Sequence, residues 1–228
     1  MSLTLSLSSP RDSLCSTGVQ VGGSLGGMHA LEWAILGESF VRKTVVIGCG
    51  AAHTAWQIGI SEVQRQAIYM DPRWNGGDVD MDAPPTAGLS LARQMAMLSY
   101  RTSKAYQGKF GRERCPDSGS WQVRRYLEHQ GSKFVGRFDP VTYIKLTEQM
   151  DTHDIARDRG SVGEALARIQ GELLIMGIES DLLYPIPEQK ALAAALPRAV
   201  FRTISSEDGH DGFLLEQDQV AAHMKDFL

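Results

Sequence analysis

Gly22-Gly23-Ser24-Leu25-Gly26 is the segment of this chain whose residue types and spacing suit covalent chemistry. In a G-x-S-x-G pattern the serine sits on a turn so tight that side chains two positions before and after would collide. Glycine is therefore wanted at 22 and 26. Such a turn pushes the hydroxyl out at a strand end and aims the Leu25 N–H at the place where an oxyanion would develop. A serine attacks poorly until a base takes its proton, and the base needs an acid to orient it. Where this device occurs, the chain order is Ser, then Asp or Glu, then His. Asp181 follows the apolar run ELLIMGI (172–178), and His210 follows AVFRTI (199–204). Ser24, Asp181 and His210 thus stand in the required order, each just after a strand-like run, at the edge where parallel sheets place their sites.

Other readings of these residues are blander. A glycine-rich turn can cradle a phosphate instead, but no Lys-Ser or Lys-Thr follows, so a P-loop is excluded. Asp181 by itself could be a turn or cap acid. His29, His53, His129 and His223 read as surface or packing residues. His153 lies in Asp151-Thr152-His153-Asp154, whose spacing matches no zinc motif, and no metal site is expected. Met95 and Met97 read as packing. Cys15, Cys49 and Cys115 form no C-x-x-C pair and read as reduced thiols.

The elements that must position the serine, acid and base can be read from periodicity. Val19–Gly22 is a strand end, and MHALEWAIL (28–36) opens a helix with Met28, Leu31, Ala34 and Ile35 on one face. TVVIGC (44–49) is a continuous apolar run, as expected of a strand covered on both faces. The runs at 172–178 and 199–204 repeat that signal, with a crossover helix near 188–196 and a last helix near 216–228. Strand alternating with helix predicts an α/β fold with a mostly parallel sheet. Residues 55–163 differ: four stretches carry helical periodicity with no strand between them, which predicts a helical cap inserted into the core. The expected organisation is a tail at 1–17, a core formed by 18–54 and 164–228, and the cap between them. In the Ser-rich tail only Leu3, Leu5 and Leu7 alternate, as a short edge strand would, and neither a secretory nor a transit signal is expected.

The chain has 228 residues, 43% hydrophobic and 22% charged, with a formal charge of −4. This balance predicts a soluble cytoplasmic protein and offers no electrostatic reason to bind nucleic acid. No apolar run approaches the ~20 residues that span a bilayer.

Six segments then carry a resemblance: GGSLGGMHALEWAI, AAHTAWQIGISEVQRQAIYMDPRWNGG, GLSLARQMAMLSYRTS, YLEHQGSKFVGRFDPVTYIKLTEQMDTHDIARDRG, LLIMGIESDLLYPIPEQ and SEDGHDGFLLE. Together they resemble the homoserine O-acetyltransferase family of the α/β-hydrolase superfamily, from about Gly22 to the C-terminus. The same family includes homoserine and serine O-succinyltransferases, serine O-acetyltransferases and deacetylcephalosporin C acetyltransferase. The resemblance implies a ping-pong transfer in methionine biosynthesis. Ser24 takes an acetyl group from acetyl-CoA, with His210 as base and Asp181 as its orienting acid, and L-homoserine accepts it. It implies that Arg93 holds the substrate carboxylate, that Asp211 binds its ammonium, and that cap helices form a homodimer. Acetyl-CoA is then a co-substrate, and no cofactor is permanently bound. The family also carries several core strands and a second oxyanion loop before the serine, whereas about twenty residues precede Ser24 here. The sequence therefore reads as a partial sheet lacking N-terminal strands, a truncated form that could be a non-catalytic fragment.

Overall fold

The computed structural model describes residues 18–37 and 40–228, so the tail and its Leu3, Leu5 and Leu7 alternation lie outside the described residues. In chain order the elements are β1 (Gly18–Gly23), α1 (Leu25–Leu36), β2 (Val41–Ile47), α2 (Ala55–Tyr69), α3 (Thr86–Ser99), α4 (Ser103–Phe110), α5 (Gln122–Val135), α6 (Pro140–Asp151), α7 (Val162–Ala167), β3 (Glu172–Ile178), α8 (Ile186–Ala194), β4 (Val200–Ile204), α9 (Gly212–Leu215) and α10 (Gln217–Phe227). They form two compact units, one of residues up to His53 together with His153–Leu228, the other of Thr54–Thr152. None of the described helices is long and apolar enough to cross a membrane.

In the first unit the described strands make one parallel sheet in the order β1-β2-β3-β4. The apolar runs become strands because both of their faces find cover. Val45, Ile47, Leu174, Met176, Ile178 and Ile204 pack on one side against Phe213, Val220, Met224 and Phe227. On the other side a Cβ at Gly27 of α1 would lie 3.2 Å from Val46 Cγ1, and one at Gly177 would lie 2.9 Å from Gln189 of α8. Helices on both faces are what a parallel sheet requires. The register places Gly23 beside Ile47 and Ile47 beside Met176, so β1 and β2 end level and β3 runs two residues beyond them. β1 differs from its neighbours: Val19 and Val21 are only half-buried, and β2 is its one partner among the described residues. Trp33, Leu36 and Phe40 are all more than half exposed nearby in the chain.

The sheet unit also keeps the segment after the helical insertion, which the helical periodicity had assigned to the cap as far as residue 163. His53 N–H donates to the His153 carbonyl at 2.8 Å and Ile155 N–H to the Ala51 carbonyl at 3.0 Å. Arg159 then clamps Glu32 of α1 with two bonds, at 3.0 and 2.7 Å. Backbone pairing and a forked ion pair hold this polar stretch, and neither leaves an apolar period to read.

The second unit is helical. Ile68, Leu89, Ala92, Phe134, Tyr143 and Ile144 form its core, and the buried Arg65 of α2 reaches Asp151 of α6 at 2.6 Å. Glycine sets how closely α2 and α3 cross. A Cβ at Gly88 would lie 2.6 Å from the Ala67 carbonyl oxygen and 2.7 Å from Ile68 Cα, whereas one at Gly59 would meet nothing within 4 Å. Gly88→Ala is expected to push α3 off α2 and cost about 1–3 kcal/mol. Gly59→Ala, in an open helical position, is expected to stabilise by about 0.4–1 kcal/mol. Chemical denaturation of the two variants checks the pair, and equal midpoints would contradict this packing.

Candidate active site

The turn after β1 is built as the glycine spacing predicts. Ser24 adopts φ 55°, ψ −124°, a positive φ that an L-residue rarely takes. Its N–H still donates to the Ile47 carbonyl at 2.8 Å, so the residue remains anchored to the sheet while the chain reverses into α1. A Cβ at Gly22 would fall 1.9 Å from the Gly26 carbonyl oxygen, which no rearrangement of side chains could relieve. Leu25 is the first residue of α1, so its N–H has no acceptor within the helix and is available at the end where anions are favoured.

The candidate acid and base come from the loops after β3 and β4. His210 Nδ1 donates to Asp181 Oδ2 at 2.7 Å, and both residues are buried. The other carboxylate oxygen accepts the N–H groups of Leu183 at 2.8 Å and Tyr184 at 2.9 Å, so the turn itself fixes the acid. With Nδ1 donating to the carboxylate, Nε2 is the basic nitrogen of the ring. Ser180 ties the two loops together, its hydroxyl donating to the Ser206 carbonyl at 2.6 Å and accepting the Gly209 N–H at 3.0 Å.

The imidazole lies against Gly48 at the end of β2, the strand that holds the serine turn. A Cβ at Gly48, the residue after Ile47, would lie 3.1 Å from His210 Cε1, and Gly48 itself has φ 57°. A Cβ at Gly23 would lie 2.7 Å from the Phe213 ring, which meets the His210 ring edge-on at 5.5 Å. Tyr184 packs on the imidazole at 5.2 Å, and His53 stacks on Tyr184 at 6.0 Å. Gly48, Phe213, Tyr184 and Gln189 shape the site but were not singled out from sequence. For Gly48 the signal was present, a glycine closing the run TVVI just before the cysteine.

The other candidates fall elsewhere. Asp211 is half-buried immediately after His210. Arg93 lies on α3 in the helical unit, its guanidinium 5.0 Å from the Phe134 ring and 5.6 Å from that of Tyr100. Its buried Nε has no hydrogen-bond partner among the described residues. His153 is buried with Nε2 3.1 Å from the Gly50 carbonyl, and burial holds its pKa below the ordinary value. Burial, reinforced by the charge of Glu188, pushes the Cys49 thiol far above its ordinary pKa. It is a protonated packing group and no rival to Ser24.

A family model described as the alpha/beta hydrolase fold matches residues 18–217. The homoserine O-acetyltransferase of Salinibacter ruber is 49% identical over 219 residues, covering 91% of this chain and 62% of that protein. A solved homoserine O-acetyltransferase from Staphylococcus aureus is 32% identical, with a TM-score of 0.73, covering 92% of this chain and 57% of that one. Another from Bacillus anthracis has a TM-score of 0.85 at 21% identity, covering 92% of this chain and 59% of that one, and shares the fold. The chain spans 62% of the length of the Salinibacter ruber protein and 52% of that of the homoserine O-acetyltransferase from Chloroherpeton thalassium.

A fluorophosphonate probe, which reacts with activated serines, is expected to label Ser24 and to leave Ser24→Ala unlabelled. His210→Ala should slow labelling by about 10²–10⁴-fold, the usual worth of a positioned base. Mass spectrometry of the labelled peptide checks both, and an unchanged rate in His210→Ala would mean that the imidazole does not activate this serine.

Proposed function

Because the chain belongs to the alpha/beta hydrolase fold family, we propose that Ser24, His210 and Asp181 carry out acyl transfer, from acetyl-CoA to the hydroxyl of L-homoserine. The observation that carries this reading is the buried Asp181–His210 pair at 2.7 Å, seated beside a serine on a glycine-permitted turn. Ser24 Oγ attacks the thioester carbonyl while His210 Nε2 takes its proton. The Leu25 N–H faces the developing oxyanion. The tetrahedral intermediate expels the thiolate of coenzyme A, which receives that proton as a thiol, and an acetyl-serine remains. The homoserine hydroxyl then attacks the ester, its proton passes to His210, and Ser24 leaves with that proton restored to it. The 49% identity to a homoserine O-acetyltransferase supports this choice of donor and acceptor, and the reaction places the protein in methionine biosynthesis. Serine as acceptor, succinyl-CoA as donor, or a deacetylcephalosporin C acetyltransferase-like reaction would use the same three residues.

Arg93 is proposed to hold the carboxylate of the acceptor. A guanidinium packed on two rings, with a buried Nε that no described residue engages, suits a bidentate carboxylate pair. Asp211, the acid next to His210, is proposed to bind the ammonium group. The helical unit is proposed to mediate a homodimer. Trp56, Val63 and Met70 recur at seven-residue spacing on or just beyond α2 and are more than half exposed, as is Leu98 on α3. An exposed apolar stripe of that kind marks an interaction surface.

Intact mass after incubation with acetyl-CoA is the decisive measurement. An acetyl adduct on the wild type but not on Ser24→Ala, discharged by L-homoserine, is expected. Discharge by serine alone would move the acceptor. Absence of any adduct on a folded chain would favour a non-catalytic fragment, a reading supported by the half-buried β1. Arg93→Ala should raise the homoserine concentration needed for half-maximal discharge by at least tenfold, because a charge-assisted pair is worth about 1.5–3 kcal/mol. In sedimentation velocity, Trp56→Glu with Met70→Glu should convert a dimer to a monomer, and an unchanged dimer would place the interface elsewhere.

A further inference from the structure

Gln189 of α8 is fully buried in a layer that otherwise calls for an apolar side chain. Its Nε2 donates to the Tyr184 carbonyl at 2.6 Å, and its Oε1 is buried with no hydrogen-bond partner. A buried amide that satisfies only one of its polar ends is an expensive choice where a leucine would pack as well. The sequence Tyr184-Pro185-Ile186-Pro187 shows why a side-chain donor is needed there. The backbone N–H that would close a turn onto the Tyr184 carbonyl belongs to position 187, and proline has none. The next one, on Glu188, is already given to the Pro185 carbonyl at 2.9 Å. Gln189 supplies the missing donor, and Gly177, whose Cβ would lie 2.9 Å from Oε1, leaves room for the amide.

Tyr184 is a junction. Its N–H donates to Asp181 Oδ1, its ring packs on the His210 imidazole, and its carbonyl is held by Gln189. Any shift of this residue therefore moves the acid and the base together. We propose that Gln189 is a positioning residue that sets the geometry of the Asp181–His210 pair through Tyr184. It touches neither substrate nor reacting atoms. The inference rests on reading that pair as the acid and base of acyl transfer, and it deepens that reading.

The test uses the full chain and two readouts. The first is the proton on His210 Nδ1, seen by ¹H–¹⁵N NMR of histidine-labelled protein, with Asp181→Asn identifying the signal. The second is the rate of fluorophosphonate labelling at Ser24 against probe concentration. In Gln189→Met the Nδ1 proton is expected to exchange with solvent at least tenfold faster. The maximal labelling rate should fall at least tenfold, with the half-saturating probe concentration unchanged. Should Gln189→Met fail to fold, Gln189→Asn keeps a buried amide that is one methylene too short to reach Tyr184, and the same losses are expected. A folded Gln189→Met or Gln189→Asn with wild-type proton exchange and labelling rate would overturn the inference. If the wild type itself takes no label, the acyl-transfer reading fails, while the NMR arm alone still decides whether Gln189 holds the pair.

Discussion

A single backbone conformation governs this site: Ser24 at φ 55° between a strand and a helix. Holding a residue that carries a Cβ in such a conformation costs on the order of 1–3 kcal/mol, and surrounding structure must over-determine it. Here the N–H of Ser24 is kept in the sheet by Ile47, and its carbonyl accepts the N–H groups of Gly27 and Met28. The close reversal dictates composition on both sides. Gly22 cannot gain a Cβ because the Gly26 carbonyl occupies that space, and Gly27 lies where a Cβ would meet Cys49 at 2.9 Å. The run of glycines around the half-buried serine is thus a packing requirement of one turn.

The acid–base arm obeys a different constraint. A buried carboxylate is tolerable only when its oxygens are satisfied, and Asp181 meets this with two backbone N–H groups and one imidazole. Because two of its donors come from the next few residues of its own turn, the carboxylate is oriented independently of the histidine. The Ser180 hydroxyl then fixes the second loop to the first, which sets where His210 can lie. The imidazole completes its packing against Gly48, Tyr184 and Phe213, each from a different part of the chain.

Much of this was legible in the sequence because it depends on local chemistry. The G-x-S-x-G spacing announces a turn, the runs TVVIG and ELLIMGI announce buried strands, and Asp181 and His210 follow strands in the order such a triad uses. What escaped reading depends on contacts between distant residues. Gln189 looks like an ordinary polar position in a helix until the two prolines upstream are seen to deprive Tyr184 of a backbone donor. The segment 153–160 stays with the sheet through backbone pairs and the Arg159–Glu32 clamp, which no periodicity encodes. The short α4 is a third case, with a mainly polar sequence, SKAYQGKF, capped by Thr102.

The two halves of the proposed catalytic site are held in different ways. Asp181 follows β3, which is buried through most of its length, and His210 follows β4, which is half-buried and paired on one side among the described residues, but the two loops are bonded to each other. Ser24 hangs from β1, half-buried and paired on one side among the described residues, with exposed apolar side chains at Trp33 and Phe40 close by in sequence. Local opening costs less than global unfolding, and the serine turn rests on the sheet through the Ser24–Ile47 backbone bond. The strained turn needs a rigid strand beneath it, since its unusual φ relaxes once the Ile47 bond is broken. The Asp181–His210 pair has a second support, the Ser180 bridge, which ties its two loops without any strand pairing. Whatever firms the Ser24 turn against β2 therefore bears on whether the three groups of the proposed site face one substrate together.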